Sequence, residues 1–263
     1  MRILDKIVNH LKIEIEILSE SVPIFELEKT KGFDRKCKSL KKSIQNSKSG
    51  IICEFKRRSP SNENINYTSN IKEVVKGYEK AGAVGVSILT NKKFFDGSGI
   101  DIINVRDSLN IPVLKKEFII SEYQIFQAKS FGSDAILLIA SILTKQEILN
   151  FSSLAKSMGL EVLLEVHSGV ELNKIAGNNI DIIGVNNRNL DTLEIDINNS
   201  VELYEMIPDE FVKISESGIS KIKSILKLKE VGFDGFLIGE NFMKTNNPQE
   251  SADNFIKQVE NEI

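Results

Sequence analysis

Apolar runs rich in β-branched residues recur along the chain, and the segments between them carry apolar residues at helical spacing. Each interval is long enough for one helix, which is typical of βαβ units with a parallel sheet. Eight such units predict an α/β fold, a single (β/α)8 TIM barrel. Residues 49–263 would form the barrel, and residues 1–48 an amino-terminal helical extension of the same domain. The eight runs begin at Ile51, Val84, Ile111, Asp134, Leu160, Asp181, Phe211 and Phe233.

Start and stop signals locate the helices between these runs. Ile, Leu and Val recur with helical spacing over residues 3–20, which predicts an extra helix that packs on the barrel. N-caps are expected at Ser121, Thr144 and Ser220, each followed by a helical pattern. The Lys- and Ser-rich stretch 36–50 is interpreted as a solvated loop or helix and not as an anion-binding patch. Predicted helix ends lie at Gly132, Gly159 and Gly232.

Composition narrows the class of protein. With 263 residues, of which 41% are hydrophobic and 27% charged, the chain suffices for one large domain with a substantial core. The net charge of -3 shows no basic excess, which argues against a nucleic-acid partner. Charge interrupts the apolar runs of the amino-terminal segment, unlike a signal peptide or a membrane span. We therefore expect a cytoplasmic protein without a membrane partner, and a monomer, although an oligomer stays open.

The first strand ends with an acid and a base on one face. Because strand side chains alternate, Glu54 and Lys56 point the same way. The opposite face, formed by Ile51, Cys53 and Phe55, is expected to be covered by helices. The charged pair then either solvates an exposed sheet or lines a site.

Polar residues also come late in other strands, on the same face as apolar residues earlier in each strand. A TIM-barrel site is built at the carboxyl ends of the strands, so these side chains should converge with Glu54 and Lys56. Burial and crowding lower the pKa of a lysine and raise that of a carboxyl, towards acid-base catalysis, whereas ion pairing acts in the opposite direction. The alternative is a satisfied polar network that plugs the barrel mouth. The residues are Lys116, Glu165, Asn186, Arg188 and Glu216.

Glycine turns follow the last two strands, in residues 215–220 and 237–241. Loops at these places in a TIM barrel often hold a phosphate through backbone N–H groups. A glycine also serves a turn for conformational reasons alone. The positions of the two turns favour a phosphorylated small-molecule substrate.

Seven segments, taken in order, resemble the successive motifs of the indole-3-glycerol phosphate synthase family. The resemblance extends from about residue 3 to the end of the chain. It implies closure of the ring of 1-(2-carboxyphenylamino)-1-deoxyribulose 5-phosphate, with loss of CO2 and water, in tryptophan biosynthesis. The segments are EFKRRSPS at 54, PVLKKEFIISEYQI at 112, SDAILLIA at 133, LEVLLEVH at 160, IIGVNNRNL at 182, ISESGI at 214 and GFLIGENFM at 235.

The resemblance implies catalytic roles for the charged residues. Lys116 would be the general acid that protonates the ketone oxygen of the substrate as the anilino ring carbon attacks. Glu165 would stabilise the positive charge that develops on the nitrogen and assist proton removal. Glu54 and Lys56 would serve the later proton transfers, with Lys56 also meeting the carboxylate or phosphate of the substrate. Which of the two acts in dehydration stays open.

The resemblance also implies residues that bind the substrate. The hydrogen-bonding residues that orient the substrate hydroxyls and the catalytic lysines would be Asn186, Arg188, Glu216 and Ser217. The phosphate would be bound through the backbone by Gly218, Gly239 and Glu240, with Ser59 nearby. Candidates for an apolar slot that holds the anilino ring are Phe95, Phe118, Leu137 and Leu190, each of which ordinary core packing would also explain.

The chain departs from the family pattern in two places. Many members carry Asp where this chain has Glu117, whose strand parity is opposite to that of Lys116, so its side chain is expected outside the pocket. A glycine that commonly follows the SPS motif is replaced here by the sequence SNENI. This replacement affects the loop of residues 57–68, which could cover the substrate and change turnover.

No metal or organic cofactor is implied, because proton transfers on the substrate suffice for the reaction. Cys37 and Cys53 form neither a CxxC motif nor a Cys/His spacing, so a disulfide or a zinc site is not predicted. His167 shares the parity of Glu165, but a structural or solvent-facing role is favoured, and His10 is not expected to be catalytic.

Two other classes of function fit these residues less well. A phosphoribosyl anthranilate isomerase would share the glycine turns and would use a cysteine on the first strand. Cys53 has the wrong parity for that role, because it faces away from Glu54. A non-catalytic binding barrel would be expected to lose some of the residues Lys56, Lys116 and Glu165, and all three are present.

Overall fold

The computed structural model describes residues 3–175, 179–190 and 192–263. Eight parallel strands pair in chain order, and the last pairs with the first to close a barrel. The predicted TIM barrel is confirmed, with one strand in each predicted run. The strands are β1 (Ile51–Phe55), β2 (Gly85–Leu89), β3 (Val113–Lys116), β4 (Ala135–Ile139), β5 (Glu161–Val166), β6 (Ile182–Asn186), β7 (Val212–Glu216) and β8 (Gly235–Ile238).

Helices precede the first strand, connect successive strands and end the chain. The predicted N-caps Ser121 and Thr144 are confirmed, and each accepts a hydrogen bond from its helix. The N-cap predicted at Ser220 is wrong by one residue, because Lys221 occupies that position. The helices are α1 (Ile3–Ser21), α2 (Ile24–Leu27), α3 (Leu40–Gln45), α4 (Ile71–Lys80), α5 (Lys92–Phe95), α6 (Gly99–Arg106), α7 (Glu122–Phe131), α8 (Lys145–Ser157), α9 (Gly169–Leu172), α10 (Asn198–Tyr204), α11 (Ile222–Val231), α12 (Glu240–Met243) and α13 (Pro248–Glu262).

The strands separate two apolar layers. Ile51, Cys53 and Phe55 are buried in one cluster with helix residues such as Val74 of α4, which confirms the predicted helix-covered face. Ile52 belongs to a second cluster inside the barrel. Strand alternation therefore directs Cys53 into the layer between sheet and helices, away from the barrel interior.

Helix α3 closes the amino-terminal end of the barrel. Leu40 and Ile44 are fully buried in the interior cluster, and they approach the first residues of β2 and β8, Gly85 and Gly235. The prediction of a solvated segment at 36–50 missed this role, because only one face of the short helix is solvated. Its two apolar residues, four positions apart, form the other face.

Helix α1 lies across the opposite end, where the strands terminate. Its buried residues include Leu4 and Ile7, and both line the cavity at the barrel mouth. The hydroxyl of Tyr123 on α7 donates to the carbonyl oxygens of Leu18 and Val22, which ties the end of α1 to the barrel. The predicted packing of the extra helix on the barrel is confirmed. Among the described helices, none is long and apolar enough to cross a membrane.

Candidate active site

A cavity of about 520 Å³ opens at the carboxyl ends of the strands, and each of the eight strands contributes to its lining. The structure brings together around it every site residue predicted from the sequence. These residues are Glu54, Lys56, Ser59, Phe95, Lys116, Phe118, Leu137, Glu165, Asn186, Arg188, Leu190, Glu216, Ser217, Gly218, Gly239 and Glu240. We refer to Glu54, Lys56, Lys116, Glu165, Arg188 and Glu216 as the charged rim.

Lys116, the last residue of β3, lies at the centre of the charged rim. Its Nζ is 2.8 Å from Oε2 of Glu165 on β5 and 2.5 Å from Oε2 of Glu216 on β7. Burial disfavours the ammonium, but Glu165, Glu216 and the more distant Glu54 outweigh this effect and raise the pKa of Lys116. One cation is therefore held between two carboxylates and stays protonated at neutral pH.

The two carboxylates that share Lys116 differ in their surroundings. Burial acts to raise the pKa of Glu165, but Lys116 and His167 outweigh it and hold that pKa well below its usual value. Burial and repulsion by Glu165 raise the pKa of Glu216 to about 7, despite the attraction of Lys116. Oε1 of Glu216 is buried and has no hydrogen-bond partner within the described part of the chain. The site thus holds one firmly ionised carboxylate and one that can exchange a proton near neutral pH.

The first strand contributes a second ion pair. Nζ of Lys56 is 2.8 Å from Oε1 of Glu54, so their predicted adjacency is confirmed. Oε2 of Glu54 accepts a long hydrogen bond of 3.5 Å from the hydroxyl of Ser87 on β2. A Cβ at Gly239 would lie 2.5 Å from Oε1 of Glu54, so the glycine after β8 leaves the space that this carboxylate occupies.

The end of β6 positions a neutral donor and acceptor beside these charges. Oδ1 of Asn186 accepts from the backbone N–H of Arg188, whose guanidinium donates to the carbonyl oxygen of Leu193. Asn187, which points the other way, is buried and donates to the Ser217 carbonyl oxygen and to groups of β7. The sequence prediction missed Asn187, whose side chain holds the loop after β7 in place.

The two glycine turns lie together at the far end of the cavity. Ser217 and Gly218 have φ values of 67° and 75°, in the left-handed region that favours glycine. Gly239 is the N-cap of α12, and the amide of Asn62 donates to the carboxylate of Glu240. The loop after β1, in which the family glycine is replaced, is thereby tied to the turn after β8.

Apolar residues line the rest of the cavity. The rings of Phe95 and Phe118 lie 6.0 Å apart and tilted, with Leu137 and Leu190 also in the lining. The prediction did not include several further apolar lining residues, which are Ile3, Leu4, Ile7, Pro60, Leu89, Ile139, Leu193, Ile195, Ile219, Leu237 and Ile238. Ile3, Leu4 and Ile7 belong to α1. Their helical spacing in the sequence predicted this helix, but it did not indicate which end of the barrel the helix covers.

The prediction for Glu117 is wrong. Its carboxylate is buried, accepts hydrogen bonds from Thr90 and Asn91, and contributes to the cavity lining. Strict alternation no longer applies because β3 ends at Lys116. The extra methylene of Glu117 relative to Asp is thus accommodated within a polar network at the cavity edge.

Two further sequence expectations concern histidine and metal. His167 is partly buried beside Glu165, outside the main cavity, and it lines a second cavity. Within the described residues, no group of three or more His, Cys, Asp or Glu side chains is arranged to hold a metal ion.

Comparison with known proteins adds independent information. The family model described as indole-3-glycerol phosphate synthase matches residues 4–257. A protein of that name from Bacteroides thetaiotaomicron is 43% identical over 258 residues, covering 98% of this chain and 99% of its own. Another from Caldanaerobacter subterraneus is 40% identical, with 98% of both chains covered. A solved structure of monomers of the dimeric phosphoribosylanthranilate isomerase from Thermotoga maritima matches with a TM-score of 0.58 at 10% identity, over 81% of this chain and 99% of that one, a likeness of fold alone.

Proposed function

Because the chain belongs to the indole-3-glycerol phosphate synthase family, we propose that its charged rim carries out the family's ring closure, with Lys116 as the general acid. Members of this family are carboxy-lyases of tryptophan biosynthesis that act on 1-(2-carboxyphenylamino)-1-deoxyribulose 5-phosphate. The observation that carries the proposal is the position of Lys116 between two buried carboxylates in a cavity lined by charged and apolar residues.

In the first step the anilino ring carbon attacks the ketone carbon of the substrate. Negative charge develops on the ketone oxygen, and Lys116 donates a proton to it from its ammonium. Glu165 and Glu216 keep that ammonium protonated and fix its position, so the donor is already oriented when substrate enters. Glu165 then faces the positive charge that forms on the nitrogen as the ring closes.

In the later steps CO2 leaves, a ring proton is lost and the new hydroxyl departs as water. The pair of Glu54 and Lys56 serves these proton transfers, since its ammonium and carboxylate are 2.8 Å apart and both face the cavity. Lys56 also attracts an anionic group of the substrate. The division of roles within this pair in dehydration is decided by comparing Glu54→Gln with Lys56→Met for accumulation of the dehydration precursor.

The remaining predicted residues bind the substrate. Arg188 and Asn186 orient the hydroxyls, while Phe95 and Phe118 flank the anilino ring. The phosphate occupies the end of the cavity where the two turns meet and is bound through the backbone by Gly218, Gly239 and Glu240, with Ser59 and Ser217 beside it.

We propose that the protein works as a one-domain monomer in the cytoplasm, without nucleic-acid or membrane partners, and sedimentation of the purified protein tests its oligomeric state.

The activity is measured with purified protein and the ribulose phosphate substrate, in buffer containing EDTA and without nucleotide. The chain contains no Trp, so indole fluorescence is read against a low background. Fluorescent indole product is expected. A folded sample that forms none with authentic substrate contradicts the proposed activity.

Adjacent lysines on β3 offer a matched test of the general acid. Lys116→Met should lower kcat by about 10²- to 10⁴-fold, the usual contribution of a general acid, with a much smaller change in KM. Lys115 is also buried but has opposite strand parity, so Lys115→Met controls for the loss of a buried ammonium. Equal losses of kcat in the two variants would contradict a specific role for Lys116.

A further inference from the structure

His167 lies directly behind the charged rim, between two carboxylates. It follows the last residue of β5, and its Nε2 is 3.3 Å from Oε1 of Glu165. Its Nδ1 is 3.3 Å from Oε2 of Glu171 on α9, which also accepts from the His167 backbone N–H at 2.8 Å. The side chain is 11% exposed and lines a second, polar cavity, which shares Asn186 and Arg188 with the main cavity, but His167 does not line the main cavity. His167 therefore contacts Glu165 without being in position to touch the substrate.

The surroundings of the imidazole are mainly acidic. Glu165 and Glu171 contact it directly from β5 and α9. Other charged groups that line the polar cavity beside it are Arg188, Glu194, Asp196 and Glu202. Burial acts to lower the pKa of His167, but Glu165 and Glu171 outweigh it and raise that pKa to about 9.

The two oxygens of Glu165 thus have different partners. Oε2 accepts a hydrogen bond from Lys116, whereas Oε1 is 3.3 Å from Nε2 of His167, an ion-pair distance without hydrogen-bond geometry. Glu216 shares Lys116, but its own Oε1 lacks a hydrogen-bond partner among the described residues. Glu165 and Glu216 both pair with the ammonium of Lys116, and they differ in that only Glu165 also contacts His167.

We propose that His167 is a positioning residue for the ring-closing reaction: as an imidazolium it holds Oε1 of Glu165, which keeps that carboxylate ionised and directs Oε2 to Lys116. This proposal rests on the role proposed above for Glu165. Glu171 in turn keeps the imidazole protonated and fixes its ring. Glu165 then stays ionised, whereas Glu216 is the member of the pair that exchanges a proton.

The contact is tested first by NMR titration of the imidazole rings, which needs no substrate. The chain has two histidines, so His10→Gln assigns both sets of signals. We expect His167 to titrate near pH 9, and its pKa to fall by about one unit or more in Glu165→Gln, because a carboxylate within contact distance shifts a pKa by that amount. A normal pKa that Glu165→Gln leaves unchanged would overturn the proposal.

The effect on the reaction is tested with His167→Gln, which retains a neutral donor, and His167→Leu, which retains none. We expect kcat to fall about tenfold in the first and further in the second, because a misplaced carboxylate of Glu165 no longer orients Lys116. KM should stay within about twofold in both. The wild-type profile of kcat should decline near pH 9, and this decline should disappear in both variants.

His10→Gln is the matched control, since His10 pairs with Glu14 on α1 and lies outside the lining of the cavity. It should keep the wild-type kcat and the decline near pH 9. An unchanged kcat and pH profile in folded His167→Leu would overturn the positioning role. Full turnover in Glu165→Gln would instead overturn the role proposed for Glu165, and the positioning role with it, even where the titration shows the contact.

Discussion

Gly184 on β6 leaves the space that the carboxylate of Glu216 occupies, and its replacement by alanine gives a direct test of the shared lysine. A Cβ at this position would lie 2.3 Å from Oε1 of Glu216 and 3.1 Å from Cδ1 of Leu163. The φ of Gly184 lies outside the left-handed region, so the backbone itself accepts alanine. Because Glu216 is buried, its carboxylate must rotate away and lose its contact with Lys116.

The size of the effect follows from that contact. A hydrogen bond between charged groups contributes about 1.5–3 kcal/mol. If the whole contribution is lost from the transition state, kcat falls by about 10- to 150-fold. Alanine in place of glycine within a strand stabilises by about 0.5–1 kcal/mol, so the free energy of unfolding should fall by about 0.5–2.5 kcal/mol.

The assay combines indole fluorescence with urea unfolding of Gly184→Ala, Glu216→Asp and the double variant. Aspartate is shorter than glutamate by one methylene, so its carboxylate leaves room for the new Cβ. In the Glu216→Asp background, Gly184→Ala should therefore lower kcat by less than about threefold. Such non-additive effects are characteristic of residues in contact. The reasoning is refuted if Gly184→Ala, with Glu216 intact, keeps kcat within about threefold of wild type.

Two other predictions concern Gly239 and His167. Gly239→Ala should push Glu54 away from Lys56, because the new Cβ would lie 2.5 Å from Oε1 of Glu54. Single-turnover kinetics should then show slower dehydration. An unchanged rate of dehydration would contradict this account. The pKa of His167 is about 9 in the folded protein and 6.5 for an ordinary histidine, so its imidazolium stabilises the fold fully below about pH 6.5 and loses this effect as pH rises through 9. The difference in unfolding free energy between wild type and His167→Gln should therefore shrink by about 3 kcal/mol between pH 6 and pH 10 in urea titrations, and a constant difference would argue against a buried imidazolium.

Strand periodicity predicted most of the site because its rule is local. Once Glu54, Lys116 and Glu165 are assigned to strand ends of one barrel, parity decides that they face the same interior. The same reasoning located Cys53 in the outer layer. These residues required no knowledge of contacts between distant segments.

The missed features depend on such contacts or on the points where strands end. Glu117 follows the last residue of β3, where alternation stops. The two apolar residues of α3 reveal one buried face, but not that this face closes the barrel. The role of Asn187 depends on the approach of the loop after β7, and that of His167 on the return of α9 beneath the end of β5. Pairwise geometry of this kind has no periodic signal in the sequence.

The charges around the cavity give His167 an electrostatic role behind the charged rim. Three members of the charged rim are glutamates, two are lysines and the sixth is Arg188, and the carboxylates Glu165 and Glu216 share one ammonium. A cavity with a surplus of buried carboxylate would repel a substrate that carries both a carboxylate and a phosphate. The three cations of the charged rim match its three carboxylates, and the imidazolium of His167, which Glu171 also contacts, reaches Glu165 from outside the space that the substrate needs. The ion pair with His167 therefore leaves more of the positive charge of the charged rim available to the anionic substrate.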